Sequence, residues 1–374
     1  MLACFTIAAT GLSLLRSKRS WIRVWDFPRM QVALLGTGAL LRLGLGRRTG
    51  NALPGGDPID DRPAAVHPRE GVSKLQRGSI ERALVPWLLA ATAYQWMRVW
   101  RYTRVAPVEV LDARSSAHDR ISIVGANVLQ SNRAFHRLAR VLREADPDVV
   151  LCAETDAWWC EQLAQLADAY PYMVRVPLAN TYGMMLLSRL PLADERVDYL
   201  IQDDVPSIQA NVRLPGGAWV HLNCLHPRPP TPDKSADSLP RDSELMLVGK
   251  RVQESPLPAI VCGDLNDVAW SRTADLFRRT GRLLDPRKGR GFYSTFNAFW
   301  PGLRFPLDHF YHSREFRLVD LRVLPAIGSD HFPIYIELSH EPEGSRSQEA
   351  PEADASDRQE AQETLQRGLA EADR

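Results

Sequence analysis

Two short apolar runs constrain this chain most, because each ends abruptly on a carboxylate. Val149-Val150-Leu151-Cys152-Ala153 stops at Glu154, and Ala259-Ile260-Val261-Cys262-Gly263 stops at Asp264, with Asn266 two positions on. Unbroken apolar runs of this length read as strands buried on both faces, so a rigid element delivers each polar side chain to a sheet edge. Pro306-Leu307-Asp308-His309-Phe310 and Ser329-Asp330-His331-Phe332-Pro333 set further acids and imidazoles beside apolar residues near the C-terminal strands. Carboxylates that converge repel one another and lose hydration, and a hard divalent cation offsets both effects. The expectation is a hydrolytic site that works with Mg2+, with Mn2+ as an allowed substitute.

The segment from Ile121 reads as an α/β domain. Ile121–Leu129 alternates as a strand, and residues 132–144 have helical spacing through Phe135, Leu138, Val141 and Leu142. A strand into Glu154 and a helix over 158–169 follow. Strands are expected at 184–187, 210–214, 219–226, 316–323 and 332–338, with a proline-bearing loop over 229–240 and a helix over 243–252. Strands in short succession with few helices fit two packed mixed β-sheets with helices outside. The expected catalytic domain is 115–340.

The first hundred residues differ. Leu2–Leu15 and Met30–Gly46 are apolar, the second broken only by Arg42, and Ala83–Met97 carries Pro86, Trp87, Tyr94 and Trp96. A bilayer core needs roughly 20 apolar residues per helix, so all three are short, although Trp and Arg at their ends extend their reach. A soluble chain with a signal-like start is the rival reading. The polar, Gly/Pro-rich stretch 47–80 argues against it by separating the runs from any shared core. Residues 1–105 are therefore read as a membrane-anchoring region with two or three transmembrane helices. Basic residues flank every run, so no orientation follows.

Charge is uneven along the chain. Residues 341–374 hold ten acids against four arginines, a net of −6, so the total of +1 leaves +7 on residues 1–340. A mildly basic body suits a phosphate-bearing substrate or an anionic bilayer. The tail lacks aromatics and is read as acidic and disordered, or else as a loose solvated helix. The five cysteines give neither a disulfide framework nor metal-ligand spacing. No protein partner is predicted.

Glu154 is the leading metal-ligand candidate, with Asn127 at the end of its own strand as a second. In Gly263-Asp264-Leu265-Asn266, the glycine permits close backbone approach, and Asp264 and Asn266 project to the same side of an extended chain. Asp264 is suited to orienting or deprotonating water and Asn266 to holding it; an Asx-turn is the competing explanation. His226 is suited to donating to a phosphate oxygen, with Arg228 as an assistant or a plain surface residue. Asp308 would polarise a partner, while Asp330 would bind metal or orient His331. Trp270, Phe292, Tyr293, Phe296, Phe299 and Trp300 offer either a stacking platform or ordinary packing.

Taken in order, Asn127, Glu154, His226, Gly263-Asp264-Leu265-Asn266, Asp308-His309 and Ser329-Asp330-His331 resemble the motifs of the endonuclease/exonuclease/phosphatase superfamily, and Met184-Met185-Leu186-Leu187-Ser188-Arg189 is similar to a strand and turn of that family. The resemblance covers roughly 120–338. It implies a four-layer α/β sandwich in which Glu154 and Asn127 lie at the magnesium. Asp264 and Asn266 would handle the water, and His226 and His331 the scissile phosphate. Asp308 and Asp330 would support the histidines or a second metal. Apolar helices before such a domain are similar to a membrane-attached bacterial subgroup, which implies the bacterial inner membrane. One departure stands out: no counterpart is found for the Tyr and Arg that DNA-cleaving members use, Ser207 lying near where that arginine is expected. The reading is a Mg2+-dependent phosphoesterase acting on nucleic acid, phospholipid or inositol phosphate. The alternative is a catalytically idle binding module on the same fold.

Overall fold

The structure, a computed structural model, describes residues 1–15, 17–49, 68–114, 119–231 and 234–372. It separates into two compact units, one comprising 1–17 with 28–100 and the other 18–27 with 101–374.

The first unit packs α1 (Leu2–Leu14), α3 (Arg29–Thr49) and α4 (Pro68–Val99). Its interior is mixed, burying Val32, Leu88 and several alanines together with a polar cluster. Arg29 donates to the Gln95 amide oxygen at 3.2 Å, and Gln95 donates to Thr10 at 3.0 Å; Arg29, Gln95, Thr6, Thr10 and Thr92 are all buried. Large apolar side chains point outward instead, with Leu14 57%, Leu41 62% and Trp87 68% exposed. Among the described residues no helix is long and apolar enough to cross a membrane, so the expected transmembrane helices are not supported. The physical reasons are length and charge. The α1 helix has 13 residues, α3 carries Arg29 and Arg42, and the N-terminal half of α4 is rich in charged and amide residues. Much of the expected 47–80 connector lies outside the described residues.

The second unit begins with the short helix α2 (Ser20–Arg23), inside the segment 18–27 that the sequence reading assigned to the N-terminal region. Two sheets form its centre. The first runs in the order β10-β11-β1-β2-β4-β3, from β1 (Arg120–Asn127), β2 (Val149–Ala153), β3 (Tyr172–Val176), β4 (Met184–Ser188), β10 (Phe316–Val323) and β11 (Ile334–His340). The second runs β5-β6-β7-β8-β9, from β5 (Leu192–Asp198), β6 (Ser207–Arg213), β7 (Trp219–Cys224), β8 (Ala259–Asp264) and β9 (Asp308–His312). Each sheet has one parallel pair, β1 with β2 and β7 with β8; the other pairs are antiparallel. The facing sheets enclose a core that includes Ile123, Leu151, Leu222, Ile260 and Phe310. Helices α5 (Phe135–Ala145) and α6 (Ala157–Ala164) cover the first sheet, and α7 (Leu239–Glu254) and α8 (Arg272–Gly281) cover the second. The mixed, helix-flanked sandwich expected from the sequence is what forms.

The acidic tail is a correction. Residues Ala355–Ala372 form α9, which packs on α7 and α8 and buries Ala361, Thr364 and Gly368. Arg279 clasps Asp357 through two bonds of 2.6 and 2.9 Å, Arg272 binds Glu360, and Arg282 binds Glu352. Charges that read as solvation signals are partners for the arginines of α8, and the apolar stripe that docks the helix is built of small residues.

Glu244 on α7 is 4% exposed, and its Oε1 has no hydrogen-bond partner among the described residues. Burial pushes its carboxyl up to about 8. The folded state then holds a proton that the unfolded chain releases above the ordinary value of 4.5, so stability falls as pH rises from there through 8. Glu244→Gln removes this dependence. Denaturant titrations are expected to show the variant equal to the parent near pH 5 and more stable by roughly 2–4 kcal/mol above pH 8.

Candidate active site

The two parallel pairs determine what converges. The strand β1 ends on Asn127 and β2 delivers Glu154, while β7 runs into His226 and β8 ends on Asp264. Asp308, opening β9, pairs directly with Asp264 across the antiparallel ladder. The chain must turn sharply after each strand, and Glu154 (φ 62°) and Asn266 (φ 51°) both adopt left-handed backbone. Gly263, at φ 137°, lies so close to the segment leaving β7 that a Cβ would stand 1.9 Å from the Leu225 carbonyl oxygen, the close backbone approach expected of that glycine.

Asn127 joins the sheets. Its amide nitrogen donates to Glu154 Oε1 at 2.9 Å and to Asp264 Oδ2 at 3.1 Å, while its oxygen accepts from the Leu129 amide at 3.0 Å. Glu154 Oε2 accepts from the Gln130 amide at 3.1 Å. Asn266 does not point into the space between the carboxylates. Its backbone N–H donates to Asp264 Oδ1 at 3.0 Å, its side chain donates to the Pro227 carbonyl, and its own carbonyl accepts from Arg241 at 2.6 Å. It therefore ties the loop after β7 to the loop after β8, and the Asx-turn that competed with a catalytic role is present alongside.

His331 lies between two acids. Its Nδ1 stands 2.7 Å from Asp308 Oδ2 and its Nε2 3.5 Å from Asp264 Oδ2. Burial works against the imidazolium, but Asp308 and Asp264 outweigh it and raise the pKa to about 10. Burial likewise opposes the Asp308 anion, and the His331 cation overcomes it, leaving Asp308 below the usual carboxylate range. Asp264 goes the other way: burial, with the Asp308 charge added, lifts it despite His331. His226 Nε2 is 4.0 Å from Asp264 Oδ2, and its buried Nδ1 has no hydrogen-bond partner among the described residues. Asp330 is half-buried and raised, by burial first and by Glu154 among the nearby charges.

Sequence reasoning missed several contacts. The Tyr182 ring stands edge-on to His226 at 5.6 Å, and Phe296 packs 4.9 Å from the His331 ring. Arg228 is held by Asp204 through two 2.6 Å bonds and lies over Tyr182. Behind Asp308, Arg287 bridges Asp285, His309 Nδ1 and the Tyr311 hydroxyl; His309 is buried, faces away from the carboxylates and is pushed down to about 3. Its depression follows from burial first and the Arg287 charge second. Trp270 is core rather than platform, its indole donating to the Asp26 carbonyl. Ser207 is buried on β6, donating to the Asp198 carbonyl.

The family model described as "Endonuclease/Exonuclease/phosphatase family" matches residues 124–331, a span holding seven of the eight anticipated site residues before its last position, His331, completes the set. The chain belongs to this family. Its members are metal-dependent phosphoesterases, and the chain is accordingly a metal-dependent hydrolase of ester bonds. The fold is similar to that of D. rerio TDP2 humanized by 14 mutations, at 17% identity over 59% of this chain and 99% of that one, with a TM-score of 0.50. It is also similar to an endonuclease/exonuclease/phosphatase from Beutenbergia cavernae, at 18% identity over 60% and 72% of the two chains, also with a TM-score of 0.50. No curated protein matches the chain significantly.

Two places in this family site offer oxygen donors to a cation. Asp264, Asp308 and His331 bring ligand atoms within 4.8 Å of one another. A cation there would compete with the proton that Asp308 and Asp264 favour on His331. Glu154, whose charge reaches Asp330 as that of His331 also does, offers carboxylate oxygens that fit a hard divalent ion at that end as well. Asn127→Ala, which removes the amine between Glu154 and Asp264, is expected to cost roughly 1–3 kcal/mol of stability in chelator, read by denaturant titration. Saturating divalent cation should recover part of that loss, because it relieves the same repulsion.

Proposed function

We propose that this chain is a Mg2+-dependent phosphoesterase that cleaves a phosphodiester or phosphomonoester by in-line attack of water. The observation that carries the reading is the arrangement at the sandwich edge: Glu154 and Asp264 share one amide donor from Asn127, while the Asp308–His331 pair stands against Asp264. Mg2+ at Glu154, with Asp330 beside it, would supply polarisation of a phosphoryl oxygen and neutralise charge. Asp264, its basicity raised by burial, is placed to orient a water and take its proton. Asp308 keeps His331 protonated, which makes the imidazolium a donor to phosphoryl oxygens as negative charge grows on them. His226, whose Nε2 stands 4.0 Å from Asp264 Oδ2 and whose ring is edge-on to Tyr182, would provide a second hydrogen-bond donor. Asn266 holds the two site loops in register rather than contacting the water.

The second part of the proposal is attachment to a membrane surface, the bacterial inner membrane being the one the family resemblance names. What supports it is the helical unit, which encloses Arg29 and Gln95 among its buried residues while turning Leu14, Leu41 and Trp87 outward. Water penalises both choices and hydrocarbon rewards both. A 13-residue α1, with α3 and α4 broken by charged residues, would enter one face of the bilayer without crossing it.

The full-length protein should hydrolyse bis(p-nitrophenyl) phosphate with added Mg2+ and lose that activity in EDTA. Glu154→Gln and Asp264→Asn should each reduce kcat by about 100-fold or more, with fold retained by circular dichroism. Equal rates in parent and variants would refute the assignment.

A further inference from the structure

Residues 295–305 form a hairpin beside the catalytic imidazole. Phe296 exchanges backbone hydrogen bonds with Phe305, and the Asn297 amide donates to the Leu303 carbonyl at 3.4 Å. The stem is stitched to the site: the Ala298 amide donates to the Asp330 carbonyl at 2.6 Å, the Phe332 amide donates to the Thr295 carbonyl at 2.9 Å, and the Phe296 ring packs on His331. The tip is the opposite in character. Phe299, Trp300 and Leu303 are 57%, 67% and 53% exposed, with Pro301 and Gly302 open between them. A stem this well anchored has no need of three large apolar side chains in water, and such a cluster marks a surface that meets another apolar phase.

Three partners would suit exposed aromatics: nucleobases, a protein groove or a lipid boundary. Nucleobase stacking works together with cations that track the backbone. The single cation of this hairpin, Arg304, lies over the Phe332 ring at 4.8 Å, and Asp330 and Glu154 make the flanking ground acidic. A lipid boundary matches two features of the chain. Trp and Phe beside Leu are the side chains that partition to the headgroup–acyl interface. The helical unit of the same chain independently exposes Leu14, Leu41 and Trp87, and the exposed Arg104 follows its last apolar run in sequence, a charge complement to anionic phospholipid.

We propose that the 295–305 hairpin inserts Phe299, Trp300 and Leu303 into the interface of a phospholipid bilayer, and that the substrate is a lipid phosphoester presented there to the His331 side of the site. This rests on the phosphoesterase reading above. The oxygen of water bonds to phosphorus, the P–O bond to the lipid alcohol breaks, and the departing oxygen leaves as the alcohol after taking a proton. A diester thus gives a monoester and an alcohol, and a monoester gives inorganic phosphate and an alcohol. The hairpin's share is placement: its stem contacts fix the distance between the membrane plane and His331, while its tip takes no part in bond making.

The experiment compares full-length parent, Phe299→Ser/Trp300→Ser and Trp300→Phe on two substrates with Mg2+: soluble bis(p-nitrophenyl) phosphate, and mixed phosphatidylcholine–phosphatidylglycerol–phosphatidic acid vesicles assayed for released phosphate and headgroup. The double variant should lose roughly tenfold or more on vesicles while staying within about twofold of the parent on the soluble ester, and Trp300→Phe should keep most of the vesicle rate. Parallel loss on both substrates would make the hairpin a support for His331 alone and overturn the proposal. So would unchanged vesicle hydrolysis, or a parent that cleaves the soluble ester and single-stranded oligonucleotides but not vesicles. A parent inactive on the soluble ester itself would sink the phosphoesterase reading, and the hairpin's role with it.

Discussion

One amide group holds the catalytic end of this molecule together. Asn127 ends a strand of one sheet, yet its two N–H bonds go to a carboxylate of that sheet, Glu154, and to a carboxylate of the other, Asp264. Without a donor between them, two acids brought this close would push the sandwich edges apart, and both sheets would lose the alignment that delivers their other residues. A neutral donor suits the position better than a lysine or arginine would. It lessens the repulsion without cancelling the charge, so the site keeps its appetite for a cation.

The remaining electrostatics divide the work among similar groups by environment. Asp264 and Asp308 face each other across one ladder, both nearly inaccessible, yet burial raises one while the His331 contact lowers the other. The 2.7 Å pair with His331 makes Asp308 the fixed anion and leaves Asp264 the more basic member. Behind them, Arg287 binds Asp285 and His309 and reaches Tyr311, so that β9 cannot slide without breaking a buried ionic cluster. His309 adjoins Asp308 in sequence and faces the other way, as alternation along a strand requires. Two neighbouring residues thus belong to different structures: one to the reacting centre, one to the brace that holds it.

Legibility in the sequence followed burial. The central strands β2 and β8 and the residues at their ends are legible because two-sided burial forces unbroken apolar runs whose ends stand out, while β1 and β7 are legible from alternation. The edge strands β3 and β5 were missed for the converse reason. Leu192–Asp198 is mostly polar and carries an irregularity between Ala193 and Arg196, which is how an edge discourages pairing with another chain. Asp264, Asp308 and His331 do come together, but the distances between them depend on pairing across β8 and β9, and no local pattern carries that. The bond from the Asn266 side chain to the Pro227 carbonyl is not legible in the sequence, because that carbonyl comes from a distant loop. The tail failed as a matter of partners: acids 352, 357 and 360 look solvated until the arginines of α8 are in view. The N-terminal helices were found as apolar runs, but composition alone could not show that they would gather their few polar side chains inside.

Chemistry and substrate choice reside in different kinds of structure here. The acids and imidazoles stand at the ends of strands packed on both sides, so their mutual distances are set by the sandwich core and tolerate little variation. The aromatic hairpin is a loop whose stem is fixed to that frame and whose tip is free of it. Changing the tip leaves the core packing untouched, whereas changing Gly263 or Asn127 disturbs the frame itself. A sandwich organised in this way can keep one way of splitting a phosphoester while different surface loops decide which molecule brings the ester to it.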